Sequence, residues 1–283
     1  MNHRGVRLFV VVALVATLAA CSFKTLYNRL DYLVPKYVEG VITLDDVLED
    51  RLEERTLVLL QWHRSTQLKQ YAAWLQSLQR DVGDQLTEEQ LDQHVLKMED
   101  FWWSLVGKLN DEMAYLLPLL DQEQQQELFL YLEDSNEEFR EEYIEPGHEE
   151  RIEAYADFMI DTYENWFGEL TGEQEQAVEL AATGLISTAE LRLEQRLAWQ
   201  RGIRDILAGD DSHYDKSQRL RVFLAEFETE PDGPLRQGSD TNRRILIRLT
   251  VQIAHSLTPE QKDYFVNKTG DYIRMFTELA ENR

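Results

Sequence analysis

Apolar residues in this chain recur at steps of three and four over most of its length. Sustained alternation at steps of two is absent, as is any Asn-Gly or Asp-Gly hairpin between β-branched runs. Leu57, Leu60, Leu68, Tyr71, Leu75, Leu78 and Val82 form one such stripe. Leu91, Val95, Met98, Trp102, Leu105, Leu109, Met113 and Leu116 form a second, and Leu128, Leu132, Phe139 and Tyr143 a third. A stripe at this spacing buries one face of an α-helix and leaves the other in water. Only 6 prolines interrupt the pattern, most of them at its edges. The chain therefore reads as all-α, a bundle of about eight amphipathic helices, several of them long, joined by short links that favour antiparallel neighbours. The expected helices run from about 43 to 82, from 87 to Pro118, and from 121 to Pro146. Further helices fit 149–168, 172–208, 214–228, 241–256 and 259–281. The stretch from Thr229 to Asp240, with two Pro and two Gly, reads as an exposed connection.

The helix starts are written alike. Leu86-Thr87-x-x-Gln90, Leu170-Thr171-x-x-Gln174 and Leu257-Thr258-x-x-Gln261 share one phrase, and Leu120-Asp121-x-x-Gln124 is its variant. Thr or Asp at an N-cap accepts from a free amide of the first turn, and Gln three residues on reaches back to the amide of the cap. This makes four capping-box starts. A cap does not require the preceding Leu. A hydrophobic staple would explain it where the fourth helical residue is apolar, and Leu91 alone satisfies that; Gln125, Glu175 and Lys262 do not. The Leu residues are expected to pack elsewhere in the tertiary structure.

The N-terminus reads as an address. Arg4 and Arg7 precede the short apolar run Leu8 to Leu18, and Leu18-Ala19-Ala20-Cys21 follows. That run is too short for a permanent spanning helix and has the layout of a secretory signal. Its ending resembles the bacterial lipobox, which implies cleavage before Cys21 and acylation of that residue with palmitate-type chains. Ser22 in the next position implies an outer-membrane anchor with the body facing the periplasm. The reading gives a signal peptide over 1–20, a lipidated tether over 21–42 and a helical domain over 43–283, with a sub-division near 170 or at 229–240. Cys21 is the only cysteine, so an acylated chain has no disulfide and no thiol ligand for a metal.

Charge is uneven. The net charge is −24, and between Asp81 and Glu190 there are 30 acidic residues against 4 basic ones. That sign excludes a nucleic-acid partner and suits basic protein segments or simple solvation. Trp62-His63-Arg64, with Tyr71 one heptad beyond Arg64, reads as a structural clamp for a carboxylate or as a recognition pocket. Phe101-Trp102-Trp103 places Trp102 in the core stripe with an aromatic on either side. No metal, nucleotide, hydrolase or redox motif is present, and no cofactor is expected. Glu145-Pro146-Gly147-His148 has di-iron spacing, but Pro and Gly break the helix it needs. The chain is read as a non-enzyme.

The Leu-Thr-x-x-Gln phrases resemble the signature of the Spy/CpxP group of periplasmic proteins. That resemblance implies an α-helical cradle and an ATP-independent chaperone or envelope-stress module that binds unfolded clients. Leu26 to Val38 after the lipobox, Leu59 to Leu75, and Asn242 to Phe265 resemble an uncharacterised family of proteobacterial lipoproteins, which implies the same address and fold. The alternative function is a structural or adaptor lipoprotein with one dedicated envelope partner. The sequence leaves the oligomeric state open.

Overall fold

The computed structural model describes residues 20–83, 85–226 and 233–281, with side chains from Lys24 onward. The architecture is an all-α bundle, and no strand occurs among the described residues. In chain order the helices are α1 (Ala20–Tyr27), α2 (Leu30–Glu39), α3 (Asp46–Trp62), a π-helical turn (His63–Gln67), α4 (Leu68–Gly83), α5 (Glu88–Leu116) and a 3-10 turn (Leu117–Leu119). They continue as α6 (Gln122–Tyr143), α7 (His148–Phe167), α8 (Gly172–Ala182), α9 (Ala189–Ala208), α10 (His213–Glu226), α11 (Pro234–Ser256) and α12 (Pro259–Glu281). Residues 1–19 of the expected signal peptide 1–20 lie outside the described residues, as does the Cys21 side chain.

The chain forms two units, each assembled from three separate segments. Unit 1 combines Met1–His63, Phe101–Ile144 and Ala189–Pro231; unit 2 combines Arg64–Asp100, Glu145–Thr188 and Asp232–Arg283. A sub-division near 170 or at 229–240 would be a single cut along the chain, whereas these units interleave. The last crossing alone falls within 229–240.

Among the described residues unit 1 shows two apolar clusters. One gathers Ala114, Phe129, Ile203, Ile206, Leu207, Leu220 and Leu224, and the other Ile42, Leu48 and Leu120. In the first cluster Phe223 lies against Gly202 so closely that a Cβ there would sit 2.0 Å from the ring, so the approach of α9 to α10 depends on glycine. Unit 2 is built on Met159, Tyr163, Phe167, Leu170, Val178, Leu249, Ile253, Leu257 and Phe265, with a second cluster of Leu86, Leu91, Ile247 and Ala254. Burying side chains of this size is worth about 1.5–3 kcal/mol each.

Four expectations need correction. In α3 the buried row is Leu48, Leu52 and Thr56, and Leu57 is exposed; the π turn then carries an extra residue before Leu68, Ala72 and Leu75 resume the core. In α5 the core row is His94 and Phe101 instead of Val95 and Trp102, a rotation of one residue. His94 is buried because its Nε2 bonds Asp81 at 2.7 Å and Trp74 sits edge-on to its ring, which an apolar stripe cannot show. Met98 and Leu109 consequently face outward, and Tyr143 of α6 is also exposed.

The expected helix 172–208 is two helices. Asn242 holds the link between them by accepting from the Ile186 N–H and donating to the Ile186 carbonyl, both at 2.8 Å, so these backbone groups need no helical partner. Finally, most of the supposed loop at 229–240 is helix. Pro234 opens α11 at a position where its missing N–H costs nothing, Leu235 is buried, and Gly238 lets the helix approach Thr188. Residues 227–232 lie outside the described part.

Candidate functional site

All four phrases close as capping boxes. Thr87 N–H donates to Gln90 Oε1 at 2.9 Å, and Gln90 N–H donates back to Thr87 Oγ1 at 3.2 Å. The pair Asp121 and Gln124 does the same at 3.0 and 2.9 Å. Thr171 and Gln174 close at 2.9 and 3.3 Å, and Thr258 and Gln261 at 3.0 and 3.2 Å. Each preceding Leu is buried: Leu86, Leu120, Leu170 and Leu257 all lie in the apolar clusters. The Leu therefore anchors the turn while the cap satisfies amides that would otherwise lack partners.

In unit 2 two of these starts meet face to face. The Gln174 side-chain amide donates to Gln261 Oε1 at 3.1 Å, and the Gln261 amide donates to Gln174 Oε1 at 2.8 Å. Each amide also bonds the carbonyl that precedes the other phrase: Gln174 donates to Ser256 O at 3.2 Å, and Gln261 to Glu169 O at 2.8 Å. The arrangement has local two-fold symmetry, and its two Gln side chains are 2 % and 5 % exposed. Buried amides pair this way because leaving one unpaired costs about 1–3 kcal/mol. The third phrase of this unit joins differently: His255 Nε2 donates to Leu86 O at 2.8 Å.

Unit 1 carries a second such pair, and half of it escaped the sequence reading. Gln124 donates to Thr43 O at 2.9 Å, and Thr43 precedes Leu44-Asp45-x-x-Leu48. Asp45 caps α3 by accepting from Leu48 N–H at 2.8 Å. This is a fifth phrase with Leu in place of Gln. Its signal was present in the Leu-Asp step, but the missing Gln hid it. Leu48 packs beside Leu120 in the same cluster, and Glu127 accepts from Thr43 Oγ1 at 2.9 Å. A further buried amide pair ties α6 to α9, where Asn136 and Gln200 exchange hydrogen bonds of 2.7 and 3.1 Å.

The Trp62-His63-Arg64 trio straddles the π turn. His63 Nδ1 lies 2.9 Å from the Tyr27 hydroxyl, which fixes α1 to the end of α3, and burial pushes the imidazole down to about 4. At neutral pH this ring is an uncharged structural partner. Lys108 lies 5.8 Å from the Trp62 ring. Arg64 is half-buried and opens the unit 2 segment, and Tyr71 packs edge-on against Phe276 at 5.8 Å. The structure thus places Trp62 and His63 in unit 1 and Arg64 and Tyr71 in unit 2.

Phe101 is the aromatic that goes inside. Trp102 and Trp103 are 53 % and 38 % exposed. They lie on the segment of unit 1 that continues into the acidic helix α6. No group of three or more His, Cys, Asp or Glu able to hold a metal ion occurs among the described residues. No helix among them is long and apolar enough to cross a membrane.

These features define an all-helical protein whose paired, capped helix starts hold each unit together. The chain belongs to a family of unknown function, DUF6279, which matches residues 37–229. The matched part includes the Leu44, Leu86, Leu120 and Leu170 phrases. No curated protein and no solved structure matches it.

Proposed function

We propose that this is an outer-membrane-anchored periplasmic lipoprotein that acts by binding protein, as an ATP-independent Spy-like chaperone. The observation that carries the reading is the exposure of the adjacent Trp102 and Trp103 in a unit whose neighbouring helix α6 is strongly acidic. Large aromatics beside carboxylates suit segments that are both apolar and basic, the composition that unfolded clients expose. The phrases shared with the Spy/CpxP signature spend their polar groups on caps and amide pairs, so client contact falls to the exposed apolar side chains. The lipid on Cys21 holds the body at the membrane.

The test is light scattering of chemically denatured client proteins diluted into stoichiometric amounts of the soluble body, without ATP. Suppression with several unrelated clients, weakened several-fold by Trp102→Ser with Trp103→Ser at unchanged melting temperature, is the expected result. No suppression at excess would overturn the chaperone reading and leave an adaptor with one dedicated envelope partner.

A further inference from the structure

The N-terminal helices present exposed cations beside an exposed aromatic, next to the expected anchor at Cys21. From Lys24 to Glu39 stand three cations, Lys24, Arg29 and Lys36, against two carboxylates, Asp31 and Glu39, in a chain of net charge −24. Arg29, Tyr32 and Lys36 are exposed, at successive steps of three and four, so they share one face of α2 and the turn before it. Tyr32 is 60 % exposed. The opposite side is fixed: Tyr27 and Pro35 are buried, and the Tyr27 hydroxyl meets His63 Nδ1 at 2.9 Å. Lys36 pairs with Glu39 at 2.6 Å, but both ends of that pair stay in water, where such contacts exchange readily.

We propose that this face lies on the phospholipid headgroups of the membrane that holds the lipid anchor. The inference rests on the lipidation of Cys21 put forward above. Arg29 stands eight positions beyond Cys21, roughly 12 Å if helical. That keeps Arg29 near one Debye length of the surface phosphates, and Lys36, fifteen positions from Cys21, reaches them where α2 lies along the surface. Tyr32 has the half-apolar, half-polar side chain that settles at the headgroup level. The occupant is an anionic phospholipid surface, chosen by charge and by where the anchor begins. Because α1 is tied to α3, docking would set the orientation of unit 1 on the membrane instead of leaving it on a free tether.

The experiment uses the mature acylated chain in vesicles of phosphatidylethanolamine and phosphatidylglycerol. Tyr32→Cys carries an environment-sensitive fluorophore, and Leu180→Cys, exposed in unit 2, carries the same label as control. Bromine-labelled lipids quench whatever touches the headgroup region. The expected result is at least three-fold stronger quenching at 32 than at 180, lost when Arg29→Glu and Lys36→Glu are added. Equal quenching at the two positions overturns the proposal, as does quenching at 32 that the charge reversals leave unchanged. Mass spectrometry of Cys21 and vesicle flotation separate the two readings. A chain that lacks acyl mass and does not float removes the anchor and the docked face together. A chain that floats with label 32 in water removes the docked face alone.

Discussion

Unit 2 joins two helix starts through Gln174 and Gln261, whereas unit 1 joins its pair through Gln124 alone, with Leu48 standing where the second Gln would be. In both units the donor reaches the carbonyl that precedes the partner phrase. What differs is the filling between the caps. Unit 2 uses a reciprocal amide pair, directional and costly to break from one side. Unit 1 uses apolar packing of Leu48 with Ile42 and Leu120, and places its own reciprocal amide pair, Asn136 with Gln200, midway along α6 and α9. The lesson is that the phrase is a two-body device. Its Leu and cap act locally, and its Gln acts on the partner helix.

The largest effect is expected at Leu48. Leu48→Ala should cost about 3 kcal/mol, as other buried Leu truncations do. Leu48→Gln should cost clearly less, because a Gln there meets Gln124 and completes the box with Asp45. Urea unfolding of both variants measures this, and a Leu48→Gln variant weaker than Leu48→Ala would break the equivalence of the two pairs. Next comes Gln174→Leu, with an expected loss of about 2 kcal/mol, since it takes the cap acceptor from Thr171 N–H and the donor from Ser256 O, and leaves the Gln261 amide with Glu169 O and Thr258 N–H alone. Adding Gln261→Leu should cost less than a second equal step, and a double-mutant cycle reads that coupling. The smallest effect is expected for Thr87→Ala, about 1 kcal/mol, because the amide of Gln90 serves no partner phrase of this kind and the cap alone is removed. Thermal unfolding resolves it. A Thr87→Ala loss matching that of Gln174→Leu would show that the caps, and not the pairing, carry the stability.

The helical class was legible because periodicity and capping are local, and both are written within a few residues. The burial of Leu86, Leu120, Leu170 and Leu257 was legible too, because the staple failed at three of the four sites and left tertiary packing. The meeting of Gln174 with Gln261 was not, since a capping Gln looks the same whether or not its amide has a distant partner. The outward turn of Trp102 was hidden by His94, a polar residue that goes inside only because Asp81 is placed to receive it. The π turn was hidden because an extra residue shifts the stripe without changing its composition. The helix at 234–240 was hidden by its own Pro and Gly, which serve a helix start and a close approach to Thr188 and not a loop.

The interleaving of the units has a consequence for how the chain is made. A ribosome delivers residues in order, yet unit 1 lacks its third segment until residue 189 has emerged, and unit 2 lacks α12, with Gln261 and Phe265, until residues 259–281 have followed. During synthesis most of the apolar faces would therefore wait uncovered, and the contacts that close them are long-range and slow to form. Early termination anywhere before α12 removes one partner of the Gln174 pair and part of the main cluster of unit 2 together. No stopping point before α12 leaves both units whole.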